Sequence, residues 1–184
     1  MRLFIAVPLP AQALEAAGRL LEELRVLDWP VRWVRTDGMH LTLKFFGEVT
    51  SDRVESIEEV LQIATEGLAP IELAMLCGGA FPSGRHPRVL RLELRAGSDL
   101  ELLQDRLERG GERIGYPPEG RPFRPHITLG RVRESQRLPA GAIQRLESIA
   151  EGPSYLVDRV VLFESQLTPA GPTYAVRLEQ RLGG

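Results

Sequence analysis

The chain of 184 residues contains one cysteine, Cys77, which excludes an intrachain disulfide framework and most cysteine-based zinc sites. It has one lysine, Lys44, against 22 arginines, and only three histidines, His40, His86 and His126. No uninterrupted apolar run approaches the ~18 residues of a membrane span. Neither charge sign dominates: the formal net charge is −2, so the chain is not a uniformly basic nucleic-acid coat, and a polyanion would have to be met by a local patch. There is no Gly-rich nucleotide loop. The arginine bias reads as composition or thermal adaptation, so only individual arginines carry weight. What is present is a globular composition, 43% hydrophobic and 26% charged, in a chain long enough to bury a core without metal or disulfide staples.

The start of the chain resembles an export signal: Met1-Arg2, an apolar stretch from Leu3 to Leu9, then Ala11-Gln12-Ala13. Pro8 and Pro10 interrupt the stretch and a single basic side chain precedes it, so it reads as a first strand. A cytoplasmic protein is expected, and the lone thiol agrees.

Alternating apolar residues predict strands over Arg2–Val7, Val31–Arg35, His40–Phe46, Pro70–Ala80, Pro87–Arg95, His126–Val132, Tyr155–Gln166 and Tyr174–Leu182. Helical spacing covers Ala11–Leu27, Thr50–Thr65 (Val54, Ile57, Val60, Leu61 and Ala64 inward), Ser98 to about Ile114, and Ala140–Ala150. Ser98-Asp99-Leu100-Glu101 reads as a capping box. Phe81–His86, Gly115–Pro122 and Thr168–Pro172 read as connecting loops. Mixed helices and strands with several hairpins argue α+β architecture in one domain, residues 1–184. The strands beginning at His40 and His126 are each followed by a helix and a strand, a weak internal echo that suggests two related lobes.

Two of the three histidines share a tetrapeptide: His40-Leu41-Thr42-Leu43 and His126-Ile127-Thr128-Leu129. In a strand, residues i and i+2 share a face, so each segment presents one imidazole and one hydroxyl while its aliphatic residues face the core. If two such strands met across a cleft, one neutral imidazole could take a proton from an attacking oxygen and one imidazolium could protonate a leaving oxygen. The hydroxyls could donate to the non-bridging oxygens of a phosphate. No Asp or Glu lies in either tetrapeptide and Thr is a poor zinc ligand, so no metal site is expected.

These residues resemble the 2H phosphoesterase superfamily, and within it the RNA 2′,3′-cyclic phosphodiesterase branch, also called the 2′-5′ RNA ligase or LigT-like family. The resemblance rests on the paired motifs, on Arg2–Ala6, Arg32-Trp33-Val34, Lys44–Gly47, Phe81-Pro82, Pro87–Leu90, Phe123-Arg124-Pro125, Gly130-Arg131 and Glu164–Tyr174. Phe46 stands where Leu is expected, and Gly130 where Ala is commoner. The resemblance implies a bilobal α+β fold, with two antiparallel sheets facing a central cleft and helices outside. It implies metal-independent hydrolysis of an RNA terminal 2′,3′-cyclic phosphate to a 2′-phosphomonoester, with no cofactor. His40 is assigned as the acid that protonates the leaving 3′ oxygen and His126 as the base that activates water, roles that the symmetry of the two motifs leaves interchangeable, and Thr42, Thr128 and Arg131 as substrate-binding residues.

Arg131 lies five residues past His126, so strict alternation puts it on the wrong face unless a bulge at Gly130 re-aims it. Arg121, Arg124 and Arg133 thicken the basic patch. His86 is expected at the surface and Cys77 in the core, along with at least two of Phe45, Phe46 and Trp33. The chain is expected to act on RNA ends as a monomer, without a membrane or an obligatory protein partner. The alternatives are RNA 2′-5′ ligation by the reverse chemistry, hydrolysis of a small cyclic nucleotide, and non-catalytic binding of RNA ends.

Overall fold

Apolar alternation along Arg2–Pro8 puts Leu3, Ile5 and Val7 in the core, and the same rule buries Leu41 and Leu43, Leu90, Leu92 and Leu94, and Ile127 and Leu129. The computed structural model, which describes residues 1–83, 86–168 and 171–183, arranges these strands with helices against their apolar face. In chain order the elements are β1 (Arg2–Pro8), α1 (Ala11–Arg25), β2 (Val31–Trp33), β3 (His40–Glu48), α2 (Val54–Thr65), β4 (Ile71–Phe81) and β5 (Val89–Ala96). They continue as α3 (Ser98–Arg113), β6 (His126–Val132), α4 (Ala142–Glu147), β7 (Ser154–Val157), β8 (Arg159–Thr168) and β9 (Gly171–Arg181).

Among the described residues the strands form one nine-stranded sheet in the order β7-β4-β5-β6-β3-β1-β8-β9, with β2 also paired to β6. The two expected sheets are its halves, joined at the centre by the antiparallel pair Leu41–Ile127 of β3 and β6. The strands that begin at His40 and His126 are each followed by a helix and a strand, β3-α2-β4 and β6-α4-β7, as the internal echo suggests. The chain then crosses over. β4, which follows β3 and α2, pairs with β5, whereas β8, which follows β6 and α4, pairs with β1.

Several boundaries differ from expectation. The single strand expected over Tyr155–Gln166 is two strands, because the chain changes partner at Asp158: β7 pairs with β4, β8 with β1. The Asp158 carbonyl leaves the ladder to accept the Leu182 amide at 2.7 Å. The capping box is not formed, since Gly97 occupies the cap position and no side-chain cap bond is made. The fourth helix is shorter than expected and begins after Gly141, whose φ of 84° suits glycine. β8 and β9 run closer to their turn than expected. Pro169 and Ala170 of that turn, and Gly84 and Arg85 of the Phe81–His86 loop, lie outside the described residues.

The lone lysine is the clearest departure from alternation. A bulge between the pairs Ile5–Lys44 and Ala6–Thr42 rotates Lys44 off the face of His40 and Thr42 and into the helix layer, where it is 2% exposed. Its ammonium donates to Glu108 Oε2 at 2.6 Å and to the Pro117 carbonyl at 3.1 Å. Glu108 also accepts from Gln104 Nε2 at 3.0 Å and from the Glu119 amide at 3.2 Å. Gly111 makes room for this pair, because a Cβ there would collide with Lys44 Cε, and a Cβ on Gly110 would collide with Val60 of α2. Two glycines inside a helix cost about 1 kcal/mol each against alanine. Here the close approach of α3 to β3 and α2 requires them. The network ties the strand of the first motif to the loop that leads into the second.

Candidate active site

β3 and β6 begin at His40 and His126 and run antiparallel at the centre of the sheet. The register that sets Leu41 against Ile127 turns His40 toward Thr128 and Thr42 toward His126, so the four polar residues share the sheet face opposite the helices. The expected convergence across two facing strands is therefore achieved between neighbouring strands. In both motifs the imidazole folds back on its own approach: Nδ1 lies 2.8 Å from the carbonyl oxygen two residues earlier, Gly38 for His40 and Arg124 for His126. A carbonyl only accepts, so Nδ1–H is the donor. In the neutral ring this leaves the Nε2 lone pair available, and in the charged ring Nε2 carries a proton to give.

The surroundings of the two rings differ. His40 sits among aromatic rings, with Phe4 at 4.9 Å, Tyr174 edge-on at 5.1 Å and Phe163 at 6.3 Å between centroids. Burial in this wall holds the His40 pKa below the usual histidine value, against the opposing Gly38 bond, and the nearby positive charge of His126 adds to the lowering. His126 lies opposite Glu93 of β5, and Thr128 lies opposite Arg91. Arg91 Nη2 pairs with Glu93 Oε1 at 2.7 Å, and its guanidinium lies 5.9 Å from the Phe81 ring centre. Arg121, on the approach to β6, lies 5.1 Å from the same ring.

Arg131 comes to the shared face by a bulge. Leu90 pairs with Gly130 and Arg91 with Thr128, so Leu129 is the extra residue and the alternation of β6 shifts by one. The positive charge of Arg131 partly offsets the burial that raises the Tyr174 pKa. Gly130 has its own reason: a Cβ there would collide with Val31 and crowd Trp33 of β2, which lies across it.

Arg121, Arg124 and Arg133 are exposed, as is His86. Phe46 is buried and Trp33 packs against the core, whereas Phe45 is exposed beneath Arg2. Cys77 is a correction: it is only half-buried, in the bulge of β4 between Met75 and Gly78. The sequence reading missed the aromatic wall and the Arg91–Glu93 pair. The alternation in Val89–Ala96 carried a signal for the pair, because Arg91 and Glu93 fall on the face opposite Leu90, Leu92 and Leu94. No cluster of three or more His, Cys, Asp or Glu side chains suited to a metal ion occurs among the described residues.

A two-lobed sheet carrying one H-x-T segment from each half on a shared face defines a two-histidine phosphoesterase. The chain belongs to the LigT-like phosphoesterase family, whose model matches residues 7–90 and 93–174, one H-x-T segment in each stretch. It is 35% identical over 177 residues to a Methanothermobacter thermautotrophicus protein named RNA 2′,3′-cyclic phosphodiesterase, covering 95% of both chains. A Thermotoga maritima protein of the same name is 32% identical over 185 residues, covering 100% of this chain and 97% of its own. Among solved structures, a Thermus thermophilus protein superposes with a TM-score of 0.83 at 29% identity, covering 100% of this chain and 99% of its own. E. coli LigT complexed with 3′-AMP gives 0.72 at 25% identity, covering 100% and 98%. No helix is long and apolar enough to cross a membrane among the described residues.

Proposed function

We infer that the chain, acting as one bilobal unit over residues 1–184, hydrolyses RNA terminal 2′,3′-cyclic phosphates to 2′-phosphomonoesters. The observation that carries this reading is the pair of imidazoles on adjacent strands, each held through Nδ1 so that Nε2 is the atom offered to substrate. The full-length similarity to proteins named for that activity supports it.

In the mechanism the cyclic phosphate sits over the seam between β3 and β6. His126, the less enclosed imidazole, removes a proton from water, and the resulting hydroxide attacks phosphorus. The bond from phosphorus to the 3′ oxygen breaks, and His40 protonates that oxygen from Nε2. A buried, pKa-lowered imidazolium is a stronger acid than a free one, and the anionic substrate favours its protonated form on binding. Thr42 and Thr128 donate to the non-bridging oxygens as charge grows there, and Arg131 adds its positive charge. No metal or other cofactor takes part. A 5′-hydroxyl in place of water would run ligation through the same residues. An RNA substrate and a single thiol suit a cytoplasmic protein, which acts as a monomer without a protein partner.

The test is incubation with a cyclic-phosphate-ended RNA in chelator, with the product identified by mass and by end-specific phosphatase treatment. A 2′-phosphate product formed at full rate is expected. Complete loss of turnover restored by one divalent ion would overturn the metal-free mechanism, and binding without turnover would make the protein an RNA-end binder.

A further inference from the structure

Arg91 is 8% exposed, and its Nε is buried with no hydrogen-bond partner among the described residues. A buried guanidinium donor left unpaired is costly, and natural sites keep such a group where a ligand completes it. Its place on the sheet is set by the register. Directly opposed residues of an antiparallel ladder point to one face, so Arg91 stands beside Thr128, on the side of the two histidines. Glu93 holds its Nη2, and Phe81 lies against its plane, so the group is fixed before any ligand arrives.

Arg91 is not at the seam. It stands on β5, two strands away from His40 on β3, which is about 10 Å at the usual strand spacing. A phosphate touched by both imidazoles is already met by Thr42 and Thr128, leaving Arg91 one step outward along the His126 half. The side chains around it are basic and aromatic: Arg121 shares the Phe81 ring, and Arg124 is exposed at the mouth of β6. On the opposite half the neighbours of His40 are aromatic rings. A strand of RNA laid across the seam toward β5 therefore meets a charged donor beyond Thr128.

We propose that Arg91, clamped by Glu93 and Phe81 beside Thr128, binds the internucleotide phosphate next to the cyclic end, so that the enzyme prefers an oligonucleotide to a cyclic mononucleotide. The proposal rests on the phosphodiesterase reading above and names the substrate class within it. Charge-assisted bonds from guanidinium to phosphate are among the stronger hydrogen bonds in proteins. The contact lies away from the reacting atoms, so it appears in KM rather than in kcat.

The experiment compares a 2′,3′-cyclic mononucleotide with a cyclic-ended oligonucleotide, for the wild-type protein, Arg91→Gln and Arg91→Lys. The expected result is a wild-type preference for the oligonucleotide in kcat/KM. That preference should fall about 10- to 100-fold in Arg91→Gln through KM, with partial recovery in Arg91→Lys. A second arm uses wild-type protein and an oligonucleotide whose last internucleotide linkage is a neutral methylphosphonate. It should lose the same preference, and the loss should not add to that of Arg91→Gln. Equal wild-type efficiency on the two substrates, an equal loss on both in Arg91→Gln, or an unaltered preference for the methylphosphonate would overturn the subsite while leaving the activity standing. Turnover of neither substrate by the wild-type protein would overturn the activity itself.

Discussion

The two halves of the sheet hold the same tetrapeptide in the same way and surround it differently. His40 and His126 both bond through Nδ1 to the carbonyl two residues earlier, at the same 2.8 Å. Beyond that bond the first ring faces Phe4, Phe163 and Tyr174, and the second faces Glu93 and the arginine side of β5 and β6. The backbone fixes which nitrogen each ring offers, and burial in the aromatic wall favours the neutral form of His40. A repeated strand thus presents the same polar pair to two different surroundings without any change in its own residues.

The largest effect should come from removing the element the halves have in common. His40→Ala and His126→Ala should each lower turnover by about 10²–10⁴, and the double variant should be little worse than either single. Steady-state rates on a cyclic-ended RNA check this. Near-wild-type turnover in one single variant would reduce the comparison to a single working half.

Next comes the tie between the halves. Lys44→Met leaves Glu108 buried without its cation and should cost about 3–5 kcal/mol of stability, measured by urea unfolding. Lys44→Met with Glu108→Leu should recover most of that loss. A double variant as unstable as the single would show that the loop contacts of Pro117 and Glu119, rather than the ion pair, carry the energy.

The threonines sharpen the symmetry. Thr42→Ala and Thr128→Ala should each slow kcat by at most about 10²–10³, by similar factors, if both hydroxyls serve one phosphate. Full activity in the double variant would show that neither faces it.

The smallest effect separates the two environments. The kcat/KM profile should be bell-shaped, with limbs that belong to the coupled pair. Burial lowers the His40 pKa, so the limb to which His40 contributes should lie at lower pH than an ordinary histidine would give. Phe163→Gln admits water to the wall and should move that limb to higher pH. A profile unchanged by Phe163→Gln would show that the wall does not set the His40 pKa. The sign for stability follows. The fold favours neutral His40, so its contribution is complete above the unfolded-state value of 6.5 and is lost as pH falls through the lower folded value.

The strands carrying the motifs were legible because they alternate cleanly and their apolar residues have one place to go. What escaped was set by pairing rather than by period. Lys44 lies two residues past Thr42 and by alternation belongs beside it, yet a bulge sends it to the core. Arg131 is moved the opposite way by a bulge that the sequence suggested at Gly130 and the pairing places at Leu129. The run from Tyr155 to Gln166 has continuous β character, and the break at Asp158 exists only because two different strands wait on either side of it. The aromatic wall joins Phe4 of β1 to Phe163 and Tyr174 of the β8–β9 hairpin, which lies far along the chain, so no local pattern announces it.

The crossing of the chain between halves has a consequence for how the molecule can be divided. A cut near Gly97 would leave an N-terminal piece holding β1 and β3 without β8 and β9, and holding β4 and β5 without β6. The C-terminal piece would be the complement, with each half-sheet missing the strands the other fragment owns. Neither fragment has both imidazoles, and neither has one complete side of the seam. The repeat seen in the sequence is therefore not a pair of separable modules but a mutual exchange of strands, and the cleft comes into being only when both ends of the polypeptide have joined the sheet.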